Sequence, residues 1–143
     1  NAACWIKRTR KMEKERSSLS AGIVIRDVLL DNEKVKEITC NIIPVFSPTE
    51  NLILPYVTYR RLRLDGRTAK TDPRRAESVE MEVACYASGY SESVDLAEAV
   101  RVALDHKTMS SDGLSLRSCT LVDSSETYEG DAFVQVLVFD VRV

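Results

Sequence analysis

The stretch Ala132-Phe133-Val134-Gln135-Val136-Leu137-Val138-Phe139-Asp140-Val141-Arg142-Val143 decides the fold. Read at a period of two, it puts Phe133, Leu137, Phe139, Val141 and Val143 on one face and Ala132, Val134, Val136 and Val138 on the other. Successive strand side chains point to opposite faces, so both faces of this strand are apolar and it belongs in the middle of a sheet. Something must cover each face. Helices elsewhere in the chain can supply one cover; the other is a neighbouring subunit or the Pro-rich segment 44–55 folded back over the sheet.

Working outward, Val79, Met81, Val83, Cys85 and Ala87 alternate with Ser78, Glu80, Glu82, Ala84 and Tyr86, which predicts a strand with one buried face. Ser88-Gly89 closes it. Leu96, Ala99, Val100, Ala103 and Leu104 then follow the i, i+3, i+4, i+7, i+8 spacing of a buried helical face, with Ser91 or Ser93 as cap and Glu92 and Asp95 near the positive end of the helix dipole. Ala21, Val24, Ile25, Val28 and Leu29 repeat that spacing and predict a helix over about 19–30, with Ser20, Asp27 and Asp31 on its polar side. A polar stretch, 31–37, leads to the short apolar run at 38–43. Tyr56-Val57-Thr58-Tyr59 opens a strand directly after Pro55. Further strands are expected over about 114–123 and 132–143, with the polar segment 124–131 between them. The expected fold class is α+β: an antiparallel sheet of four or more strands with two helices packed on one face.

Composition narrows function. The chain has 143 residues, enough for one domain with a substantial core. Residues 1–17 are expected to be a basic tail and 18–143 a single domain. For the tail, Asn1-Ala2 reads as an expression scar or the residues before Met12 as translation from upstream, with a solvated tail as the common form of such a run and a basic arm for DNA or RNA as the sharper alternative. No apolar run approaches the length of a membrane-spanning helix, and the N-terminus lacks the order of a signal peptide, so a cytoplasmic location is the default expectation. Net charge is only −2, which argues against a nucleic-acid binder acting through bulk charge. That total conceals a polarity along the chain. Residues 1–76 carry 16 basic and 9 acidic side chains, whereas residues 77–143 carry 4 and 13.

Groups for catalysis are sparse. His106 is the single histidine, expected at a helix C-terminus where a cation or donor is favourable. Cys4, Cys40, Cys85 and Cys119 are widely spaced, form no CxxC pair, and read as reduced thiols buried on strands. The five glycines form no phosphate loop. Glu80 and Glu82 read as an exposed strand face, and Asp112, Asp123 and Asp131 lack the spacing of a calcium loop. No catalytic, cofactor-binding or metal site is expected. The prominent feature is basic: Arg60, Arg61, Arg63, Arg67, Lys70, Arg74 and Arg75 fall within sixteen residues, on a strand end and the loop after it. Without interleaved aromatics this is a poor nucleic-acid footprint, and it suits an acidic protein surface such as that of another copy.

Over about 19–143 the chain resembles the tail-completion proteins of long-tailed phages and prophages, which are related to tail terminators and head–tail joining proteins. The resemblance lies in Leu54-Pro55-Tyr56-Val57-Thr58-Tyr59 and the variable loop beyond it. It continues in the run from Glu82 to Tyr90 and in Asp95-Leu96-Ala97-Glu98-Ala99-Val100-Arg101-Val102-Ala103-Leu104, and ends in the run from Asp131 to Phe139. The resemblance implies a structural subunit without catalysis or cofactor. It implies a homo-oligomeric ring, commonly six-fold, on the head-proximal end of the tail tube, with the tube and the head connector as partners. Neither sequence-specific nucleic acid nor membrane enters that role. Location would be the virion tail, or the host bacterial cytoplasm before assembly. Arg67, Lys70, Arg74, Arg75, Phe133, Leu137 and Phe139 are the expected interface residues. A small non-enzymatic module that binds a ligand or protein is the alternative.

Overall fold

The computed structural model of the chain describes residues 16–45, 53–66 and 77–143. Ser17 accepts the Leu19 N–H at 3.3 Å and caps a 3-10 turn, Ser18–Ser20, that leads directly into helix α1 (Ala21–Asp31). Ala21, Val24, Ile25, Leu29 and Leu30 are buried along it. Gly22 allows α1 to approach the sheet, since a Cβ there would lie 3.4 Å from the Tyr59 ring. Asn32 breaks the helix with extended backbone and restarts it, its side chain accepting the Val35 N–H at 3.1 Å to cap α2 (Glu33–Ile38).

Strands β1 (Ile42–Pro44), β2 (Tyr56–Asp65), β3 (Ser78–Ala87), β6 (Ser118–Glu129) and β7 (Ala132–Arg142) form one sheet in the order β1-β2-β3-β7-β6. Between β3 and β6 lie helix α3 (Tyr90–Leu104) and a small hairpin of β4 (Met109–Ser111) and β5 (Leu114–Leu116). The large sheet is antiparallel except for β1, which runs parallel to β2. The helices pack on one face of it. Val79, Met81, Val83 and Cys85 of β3 and Leu137, Phe139 and Val141 of β7 point to that face and form the core with α1 and α3.

The α+β expectation holds, and so do the strand after Pro55 and the helix through Leu104. Several details differ. The polar stretch after α1 is itself helical, and the sheet is mixed because β1 joins it in parallel. The segment 124–131 is not a connection: β6 runs to Glu129 and turns within Gly130-Asp131, whose φ angles of +56° and +65° fit a tight two-residue hairpin. Helix α3 is capped by Gly89 without a side-chain bond, while Ser93 is buried and its hydroxyl donates to the Tyr90 carbonyl at 2.7 Å. Asp27 is not on a solvent side. Only 2% exposed, it accepts from Arg26 at 3.3 Å and from the Ser111 hydroxyl, because the β4–β5 hairpin packs over the flank of α1. Cys85 and Cys119 are free and buried as expected, but Cys40 is disulfide-bonded rather than reduced.

Candidate interaction surfaces

The strand that decided the fold separates its two apolar faces unequally. Phe139 is fully buried and Leu137 is 6% exposed, both beneath the helices. Their side chains are therefore internal to the subunit, contrary to the expectation that they form an interface. Phe133 shares their face but lies at the sheet end, half-buried, with Tyr128 and Tyr90 packed edge-on at centroid distances of 4.8 and 5.8 Å. Both tyrosines are exposed, so this aromatic cluster is accessible from outside the subunit. Of the remaining expected interface residues, Arg67, Lys70, Arg74 and Arg75 lie outside the described residues.

The opposite sheet face carries Val134, Val136 and Val138 of β7 beside Ala84 and Tyr86 of β3. Val134 and Ala84 are buried, and Val136 and Val138 are half-buried. At one end Tyr56 stacks on Tyr86 with centroids 4.5 Å apart and rings 16° from parallel. Burial raises both phenol pKa values, with the Glu129 carboxylate adding to the effect, so both rings remain neutral at physiological pH. The other end is polar. Arg60 meets Glu82 at 3.0 Å, the Ser78 hydroxyl donates to Asp140 at 2.7 Å, and Arg142 meets Asp140 at 3.2 Å. Glu82 is thus half of an ion pair on the outward face, and both Glu80 and Glu82 are half-buried there rather than fully exposed as the sequence suggested.

The sheet edges are partly closed by neighbouring backbone and side chains. On β2, β1 pairs with Val57 to Tyr59, and the Val45 N–H donates to the Tyr59 carbonyl at 2.7 Å. On β6, the His106 N–H donates to the Cys119 carbonyl at 2.7 Å and the Asp105 carboxylate accepts the Leu121 N–H at 2.9 Å. His106 adopts left-handed backbone, φ +61°, just past the end of α3, and its ring lies 3.6 Å from Asp105. Burial disfavours the Asp105 charge, but the Leu121 N–H, the Arg101 guanidinium and His106 outweigh it and hold the carboxyl below its ordinary pKa. Asp105 thereby ties the α3 terminus to one end of β6.

Among the described residues, no group of three His, Cys, Asp or Glu side chains could hold a metal, and no helix is long and apolar enough to cross a membrane. A cleft lined by Arg63, Asp65, Ser78 and Glu80 is open to solvent, unlike the enclosed pocket that a ligand-binding module requires. Sequence reasoning missed the edge closures altogether. The signal was the Asp105-His106 pair directly after an apolar helix, but only the fold shows which strand it meets.

Comparison with known proteins bears on what these surfaces serve. No curated protein matches the chain at a significant level. Among solved structures, a chain of the virion of a native gene transfer agent particle superposes with a TM-score of 0.70, covering 89% of this chain and 98% of that one. At 17% identity, that likeness is one of fold. The family described as tail completion protein gp17 matches residues 25–143, from the middle of α1 through β7. The chain belongs to the tail completion protein gp17 family, and its role is structural, in phage tail assembly.

Proposed function

We propose that the chain is a tail-completion subunit that assembles with copies of itself into a ring, with six-fold symmetry, at the head-proximal end of the tail tube. There it would stop tube growth and offer a surface to the head connector, as part of the virion tail. The observation that carries this reading is the family match across the whole sheet, α3 and the second half of α1. Its physical support is the division of charge and of exposed surface. A cyclic ring joins one patch of a subunit to a different patch of the next, and a chain basic before residue 77 and acidic after it supplies two unlike patches. Arg67, Lys70, Arg74 and Arg75 would reach an acidic neighbour, and Phe133 would lie in a contact with an adjoining subunit or tail protein. The role uses no catalytic group and no cofactor.

Sedimentation and native mass spectrometry of the purified chain, alone and with tail tubes, test the ring. A discrete closed oligomer, or one copy number bound per tube end, is expected. A monomer under both conditions would overturn the reading.

A further inference from the structure

Among the described residues, β2 beyond its pairing with β1 and the second half of β6 have no strand on their outward edge. On β2, β1 stops at Tyr59, and Arg60 to Asp65 continue beyond it with Arg60, Arg61 and Arg63 exposed. On β6, the contacts from Asp105 and His106 stop at Leu121, and 122–129 continue with Asp123, Glu126 and Glu129 exposed. The two open stretches have opposite charge. A long exposed edge is a template for another strand unless it is blunted, and 122–129 contains neither Pro nor Lys. Its one irregularity is the register shift between Leu121 and Asp123.

We infer that the open half of β2 in one copy pairs with the open half of β6 in the next, continuing the sheet between subunits. The partner is a second copy of this chain, and the inference rests on the ring reading above. Direction agrees: β2 and β6 run antiparallel within the subunit, so a copy carried along the sheet presents β6 antiparallel to β2.

Hydrogen-bonding parity agrees as well. The outward bond from the Leu121 N–H, followed through the β6 and β7 register, makes Ser124, Glu126 and Tyr128 the outward-bonding residues beyond the shift. The same reasoning from Tyr59 makes Arg61 and Leu64 the outward residues of β2. The register that matches parity and sheet face sets Arg61 opposite Glu126 and Leu64 opposite Ser124. It also brings Arg60 diagonal to Glu129 and Arg63 diagonal to Asp123, each pair on the same face. Within one subunit Arg61 is level with Leu121, so neighbouring copies are staggered by about four residues, roughly 13 Å along the strand.

Three variants test this by native mass spectrometry and sedimentation, with the urea midpoint as the check on folding. Ser124→Pro removes one outward N–H and no bond within the subunit, and is expected to give monomer. Arg60→Glu/Arg63→Glu and Asp123→Lys/Glu129→Lys each place like charges across every interface and are expected to be monomeric alone. Mixed one to one, they restore complementarity at both kinds of interface and are expected to regain the wild-type oligomer. A wild-type oligomer that these variants leave unchanged would overturn edge pairing while leaving the ring intact, and failure of the mixture would also overturn it. A wild type that stays monomeric even on tail tubes would overturn the ring reading and edge pairing together.

Discussion

Replacing Phe139 by Ala and, separately, Val138 by Ala asks which face of β7 holds the subunit together. Phe139 is fully buried opposite Met81, whereas Val138 lies half-buried on the outward face. Truncating a buried Phe costs about 3–5 kcal/mol through lost transfer energy and the cavity left behind. Removing two half-buried methyl groups costs about 1 kcal/mol at ~0.8 kcal/mol per fully buried carbon. With a urea dependence of about 2 kcal/mol per molar, the midpoint should fall by roughly 2 M for Phe139→Ala and roughly 0.5 M for Val138→Ala. A domain in the upper part of the usual range of about 5–15 kcal/mol survives either loss at zero denaturant. The titrations are run at several protein concentrations, because association adds concentration-dependent stability. Equal shifts for the two variants would refute the assignment of faces, as would a Phe139→Ala shift that disappears on dilution into monomers.

Other expectations concern local devices. Asp105→Asn should weaken the tie between α3 and β6 by about 1 kcal/mol, read by thermal unfolding and by faster exchange of the Leu121 amide. The folded-state pKa of Asp105 is depressed, so its stabilisation is fully present above the ordinary carboxylate pKa and is lost as pH falls through the lower folded value. Asp105→Asn should therefore have a shallower loss of stability on acidification than the wild type, and identical acid profiles would contradict the role given to this carboxylate. Burial pushes the Cys85 and Cys119 thiols up to about 12, aided at Cys119 by Asp105 and Asp140, so neither should react with iodoacetamide at pH 8 until the protein unfolds. Gly130→Ala places a side chain at φ +56° in the β6–β7 turn and should cost about 1–2 kcal/mol by thermal melt; an unchanged melt would mean that the turn relaxes at no cost.

Periodicity in the sequence revealed the elements that bury one continuous face. Alternation over β3 and the repeated spacing in α1 and α3 are direct imprints of the core that they share. The elements that escaped notice lack such an imprint. Helix α2 has six residues and buries only Val35, too little to show a period. The second half of β6 is exposed on both faces, so residues 124–129 read as a polar connection although they pair with β7 throughout. β1 has three residues, too few to show an alternation, so 38–43 read only as a short apolar run. Leu137 and Phe139 were legible as apolar strand residues, but sequence alone did not say which face the helices cover. The charge contrast was visible from counts, whereas the placement of Arg60, Arg61 and Arg63 beyond β1 and of Asp123, Glu126 and Glu129 beyond Leu121 depends on β1 stopping at Tyr59 and on Asp105 meeting Leu121.

A structural role in completing the tail is tested by electron microscopy of particles from a host in which this chain alone is deleted and then resupplied. Without the chain, heads and tails should fail to join and tails should vary in length, and intact particles should return when the chain is resupplied. Normal numbers of intact particles with tails of uniform length in its absence would contradict that role.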